Sequence, residues 1–148
     1  MPDPTLDATI RFAHNQHYGQ VDKAGQPYIL HVFRVMLSFT AEAERTVALL
    51  HNVVKDCGVT LDYLQKMRYP AEVIEAVDCV TKRPKEADDY DAFIRRVAAG
   101  PILARRVKIA DLKDNADLSR FSSPSDDDRT RSAKYTAAIQ LLETTLED

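Results

Sequence analysis

The tightest constraint on this chain is the run Ala48-Leu49-Leu50-His51-Asn52-Val53-Val54-Lys55-Asp56-Cys57-Gly58. It is an apolar helical stretch that abruptly carries His, Asn, Lys and Asp and then stops at a glycine suited to a left-handed C-cap. A helix with one buried stripe keeps its polar groups on the opposite side. Here the two kinds are mixed within two turns, so some polar groups lie near the core and need partners. Any fold for this chain must bring those partners to this helix, as metal ligands or as a hydrogen-bond network.

Elsewhere apolar residues recur every three or four positions between proline and glycine breaks, and no stretch alternates convincingly with period two. Thr5 is expected to cap a helix reaching about His17, and residues 19–27 read as a turn-rich loop. Further helices are expected over about 28–39, 43–57 and 61–67, the last capped by Thr60. Pro70 and Pro101 are placed at the first helical position of two more, with a helix over 90–98 between them. Residues 81–88 read as a solvated charged loop. Residues 122–128 read as a polar loop in which an aspartate caps a last helix to about Leu146. The expectation is an all-α fold of seven or eight helices, with residues 1–148 forming one domain.

A net charge of −3 argues against broad nucleic-acid or anionic-membrane binding. No apolar run approaches the roughly 20 residues of a membrane helix. The start Met-Pro-Asp-Pro-Thr-Leu-Asp lacks the pattern of a secretory signal. Cys57 and Cys79, both in helix-like segments, suit a reduced compartment better than a disulfide framework. A cytoplasmic location is expected.

Among the four histidines, His14 and His17 are spaced i, i+3, which suits either a metal or a hydrogen-bonded, half-exposed pair. His31 and His51 are each embedded in aliphatic helices, and Asp111 sits in the apolar run Val107-Lys108-Ile109-Ala110-Asp111-Leu112. Three helices thus each offer one metal-capable group, a set that suits a divalent ion such as Mn2+, Fe2+ or Zn2+. The remaining charges read as solvated. Arg95-Arg96 and Arg105-Arg106 are expected on helix surfaces and Lys82, Arg83 and Lys85 in a loop. Asp126-Asp127-Asp128 is expected as a cap and turn, with Asp114 and Asp117 flanking Asn115.

The segments around these residues resemble a known family. Phe12-Ala13-x3-His17-x-Gly19-Gln20, Lys23-Ala24-Gly25-Gln26-Pro27-Tyr28-Ile29-x-His31, Ala48-Leu49-Leu50-His51 and Lys108-Ile109-Ala110-Asp111-x3-Asn115 are similar to the alarmone-hydrolase domain of RelA/SpoT-type proteins. That domain is one of the HD-domain phosphohydrolases. Length and layout resemble the small stand-alone hydrolases of that group. The resemblance implies an all-α HD-type bundle and Mn2+-dependent removal of the 3′-pyrophosphate from guanosine tetra- or pentaphosphate. It implies metal ligands at His31, His51, Asn52 and Asp111, and catalytic positions at Lys55 and Asp56. It implies nucleotide contacts at Lys23 and Asn115.

The departures fall in the opening stretch. The family pattern reads His-Asp-Val-Val-Glu-Asp, and this chain has Asn52 for the first Asp and Lys55 for the Glu; Asp22 replaces an arginine common in the loop. Asn52, Lys55, Asp56 and Asp111 together carry a formal charge of −1 where the pattern gives −4. Even at an effective dielectric of about 20, that shift weakens a bound divalent ion by several kcal/mol. Lys55 is four residues from His51, on the same helix face. Two arrangements stay open: its ammonium turns inward to pair with Asp56 or Asp111, or it bends to solvent and leaves a weaker metal site. The functional expectation is a phosphohydrolase with weakened activity, with a non-catalytic nucleotide-binding relative or a hydrolase of another phosphoester as alternatives.

Overall fold

The computed structural model describes residues 3–147. Within them the chain forms eight α-helices and one 3-10 turn: α1 Leu6–His17, α2 Ile29–Leu37, α3 Glu42–Cys57, α4 Leu61–Lys66, α5 Ala71–Cys79, a turn at Pro84–Glu86, α6 Tyr90–Ala98, α7 Ile102–Ala116 and α8 Asp126–Thr144. No β-strand forms among the described residues, so the all-α expectation holds. No helix is long and apolar enough to cross a membrane.

Helix α3 is the axis of the bundle. Every residue from Thr46 to Val53 is buried, and α3 packs against α1, α2, α5 and α7. That is why its aliphatic residues occupy more than one face: each face meets a different helix. It ends where the sequence says it should, at Gly58 with φ +72°. Helices α7 and α8 pack against each other and close the bundle on the side of α2 and α6.

Several local expectations change. Pro70 and Pro101 are N-caps, not first helical residues. With ψ at 148° in both, they stay extended, and their carbonyls accept the first helical N–H groups from Ile74 and Arg105. The cap of α8 is Ser125, whose hydroxyl accepts from the Asp128 amide while Asp128 accepts from the Ser125 amide. The hydroxyl is the shorter side chain, and the aspartate three residues on reciprocates. Helix α7 runs a turn further than its apolar stripe suggested, carrying Asn115 within it.

The segment 81–88 is not simply a solvated loop. Glu86 is buried and accepts from Arg96 at 2.8 and 3.1 Å and from the Arg83 amide at 2.8 Å. Arg96 also reaches the carbonyls of Cys79 and Thr81, so it is a half-buried strut and not a freely solvated charge. Arg105 likewise ties the carbonyls of Gly100 and Thr145 together. Arg95 is exposed, as expected. Leu49, fully buried in α3, is expected to lose about 2–5 kcal/mol of stability on substitution by alanine. Leu141→Ala, at a 40% exposed position, is expected to change urea unfolding by less than about 0.5 kcal/mol.

Candidate active site

The partners that α3 requires arrive from α2 and α7. Asp111, 3% exposed, is the centre. Its Oδ1 accepts from His31 Nε2 at 2.9 Å, with the Asn115 amide further off at 3.4 Å; its Oδ2 accepts from Lys108 Nζ at 3.1 Å. The other nitrogen of His31 donates to Asp114 Oδ2 at 2.5 Å. Arg34 grips Asp114 with two hydrogen bonds of 2.7 and 3.1 Å. Helical spacing builds this cluster. Lys108, Asp111 and Asp114 are three apart on α7, and His31 and Arg34 are three apart on α2, so each trio or pair shares a face.

These contacts fix the protonation states. Burial opposes a charge on His31, but a carboxylate on each ring nitrogen overrides it and raises its pKa to about 9. Burial would raise Asp111, yet Lys108 and the His31 hydrogen bond hold the carboxylate well below its ordinary range. Burial likewise opposes Asp114, which His31 and Arg34 bring down to about 2. His51, also buried, is pushed down to about 3, first by burial and then by the charges of Lys108, Lys55 and His31. It is a neutral imidazole beside an ion cluster.

Asn52 is buried, and its carbonyl oxygen accepts from the Tyr28 hydroxyl at 3.0 Å. Lys55 and Asp56 are exposed at the last turn of α3. Lys55 makes no ion pair among the described residues, so the inward pairing with Asp56 or Asp111 is not what forms. Asp111 takes its cation from Lys108 instead, which lies on the same helix three residues away and loses less freedom in pairing. His14 is exposed while His17 is buried, with Nδ1 bonded to Gln20 Oε1 at 2.8 Å, so the two do not share a site.

Outside the cluster lies a cavity of about 270 Å3, and Lys23, Lys55 and Asn115 line it together with Tyr28, Arg120 and Tyr135. The loop before α2 delivers Lys23. Asp22 Oδ1 accepts from the Ala24 and Gln26 amides, both at 2.9 Å, and Gly25 turns with φ +82°. A larger groove of about 500 Å3, lined by Arg34, Phe39, Arg106 and Asp114, opens on the other face of α7, away from Lys55 and Asn115.

Sequence reasoning had named His31, His51, Asn52 and Asp111, which gather near one point. It had missed the roles of Lys108, Asp114, Arg34 and Tyr28. The i, i+3 spacing of Lys108, Asp111 and Asp114, and Arg34 one turn after His31, are their trace in the sequence, though the same spacing is common on solvated helices.

The donors do not fit a divalent ion as they are arranged. A His31 ring that donates from both nitrogens has no lone pair to offer. Both Asp111 oxygens are engaged, and the Asn52 oxygen accepts from Tyr28. No three His, Cys, Asp or Glu side chains converge as an ion site among the described residues.

No family model matches the chain. It is 38% identical over 92 residues to a guanosine-3′,5′-bis(diphosphate) 3′-pyrophosphohydrolase of Vibrio cholerae, covering 57% of this chain and 13% of that protein. It is 28% identical over 157 residues to a GTP pyrophosphokinase of Myxococcus xanthus, covering 93% of this chain and 20% of that one. The chain therefore spans a fifth or less of these relatives. A solved structure, described as a metazoan ortholog of SpoT that hydrolyzes ppGpp and plays a role in starvation responses, superposes with a TM-score of 0.80 at 24% identity. The match covers 98% of this chain and 89% of that one. The chain shares the fold of that solved structure. In this fold the polar residues of α3, α2 and α7 meet at one place, and Asn52 and Lys55 both belong to α3.

The two histidines set opposite pH limits on stability. His31 has a folded value above its ordinary 6.5, so its contribution is complete below about pH 6.5 and is lost as pH rises through 9. His51 has a folded value below 6.5, so its contribution is complete above that pH and is lost as pH falls toward 3. The urea midpoint is expected to peak near pH 6.5. His31→Gln should flatten the alkaline side, and His51→Gln the side between about pH 4 and 6.5. A midpoint that climbs steadily from pH 6.5 to 9 in the unsubstituted protein contradicts this assignment.

Proposed function

We propose that this chain is a phosphohydrolase of the guanosine-3′,5′-bis(diphosphate) 3′-pyrophosphohydrolase kind, acting in the cytoplasm as one HD-type unit over residues 1–148, with turnover weakened at its own centre. The observation that carries this reading is the convergence of Lys23, Lys55 and Asn115 on one cavity beside Asp111. A nucleotide polyphosphate needs cations for its phosphates and a flat face for its base. Lysines meet the first need, and Tyr28 and Tyr135 offer the second. The names of the Vibrio protein and of the solved structure both speak of guanosine polyphosphate hydrolysis.

In this reading Lys23 and Asn115 hold the nucleotide, and His31, His51, Asn52 and Asp111 are the buried layer behind the cavity. Asp56, an exposed carboxylate beyond Lys55, is the group on this end of α3 that can accept a proton from water. Lys55, in the family's Glu position, has no acceptor to offer. The resemblance attaches a divalent ion, Mn2+, to the reaction. The poor match of the donors to such an ion is the proposed source of the slow turnover. A second reading, a nucleotide-binding relative without turnover, is favoured by the engagement of both Asp111 oxygens.

The test is hydrolysis of guanosine tetraphosphate with Mn2+ by this chain and by Asn52→Asp/Lys55→Glu. The double variant is expected to turn over at least about 100-fold faster, because each charge restored next to a cation is worth roughly 1–4 kcal/mol. Equal and high turnover in both defeats the weakened-centre reading. Binding without turnover in both selects the second reading.

A further inference from the structure

We infer that Lys55 is a phosphate-binding residue, a fixed cation through which this pocket takes a nucleotide polyphosphate with no divalent ion present. The inference rests on the nucleotide reading of the cavity and adds how its phosphates are neutralised. Four basic side chains line the cavity, and they are not equivalent. Arg120 is spent on Asp114 and Asp117, and Arg131 on Asp128. Lys23 and Lys55 make no ion pair among the described residues, and both are exposed at the cavity wall.

Lys55 stands closest to the chemistry of the two. It is one helical turn from His51 on the same face of α3, and its charge is felt by both His51 and Lys108. The carboxylate that would otherwise attract this ammonium is already neutralised, because Asp111 sits between Lys108 and His31. Asn52, buried one turn before Lys55 on α3, is neutral and holds the Tyr28 hydroxyl. Two carboxylates, Asp22 and Asp128, line the cavity against its four basic side chains, so its lining carries a net positive charge, and Lys23 and Lys55 are the cations in it without an ion pair among the described residues. A lysine ammonium is a point charge with three donors, well suited to a phosphate oxygen. It supplies part of what a bound metal ion supplies for binding, and nothing of what the ion supplies for activating water.

The experiment is calorimetric titration of the full chain with guanosine tetraphosphate and with tripolyphosphate, each in EDTA and in Mn2+. The proteins are the unsubstituted chain, Lys55→Gln, and Lys66→Gln as a charge-matched change on α4, outside the cavity. The expected result is binding in EDTA, less than a twofold change with Mn2+, at least a tenfold loss in Lys55→Gln and no loss in Lys66→Gln. Binding that needs Mn2+ overturns the inference and leaves the hydrolase reading intact. Equal binding by Lys55→Gln and the unsubstituted chain also overturns it. Tripolyphosphate bound in EDTA through Lys55, with guanosine tetraphosphate unbound, keeps Lys55 as a phosphate-binding residue but overturns the inference for a nucleotide and defeats the nucleotide reading. No binding of either ligand under any condition defeats both.

Discussion

The structure depends on one buried carboxylate. Asp111 lies inside the bundle, where an isolated charge would cost several kcal/mol, and it is stable there because two cations from two directions share it. Lys108 comes from its own helix and His31 from α2. His31 passes the arrangement on, since its far nitrogen meets Asp114, which Arg34 holds by two bonds. The α2–α7 junction is thus ionic, as is the Glu86–Arg96 contact, within a core that is mainly apolar. Removing one partner would leave an uncompensated buried charge, a loss of about 3–5 kcal/mol in comparable cases.

This self-sufficiency shapes what the site can do. A centre whose carboxylate already holds a lysine and an imidazolium has little negative charge left to attract a metal ion. The same neutralisation leaves Lys55 and Lys23 uncommitted at the cavity and makes the wall attractive to phosphates. Asn52 for Asp and Lys55 for Glu therefore act in one direction. Each removes negative charge from the α3 wall, which favours holding an anion over holding a cation. Binding and hydrolysis, joined through the metal in the family that the motifs resemble, become separable here.

Much of the fold was legible in the residues. The helical period, Thr5 and Thr60 as caps and Gly58 as a stop all act locally, within one turn of chain. The proline N-caps at Pro70 and Pro101 were misplaced by one residue because the first helical position and the N-cap differ only in ψ, which the sequence does not report. The burial of Glu86 and its pairing with the half-buried Arg96 do not show in the sequence, because a charged segment looks solvated until another helix covers it. In the site, His31, His51, Asn52 and Asp111 stood out as polar residues in apolar surroundings. Lys108 and Asp114 did not, since charges three apart on a helix are ordinary on a surface and decisive only when buried.

By itself the sequence determined that this chain folds as helices joined by loops, and that its polar site falls on the third of them. Apolar spacing and capping groups are short-range properties that travel with the chain. Only the tertiary structure decided which cation Asp111 takes, and that Lys55 faces the cavity and not the carboxylate. Both lysines are within reach of that region by helical spacing. The choice follows from α2 and α7 meeting so closely that Lys108 is enclosed with Asp111, while the last turn of α3 stays open to water.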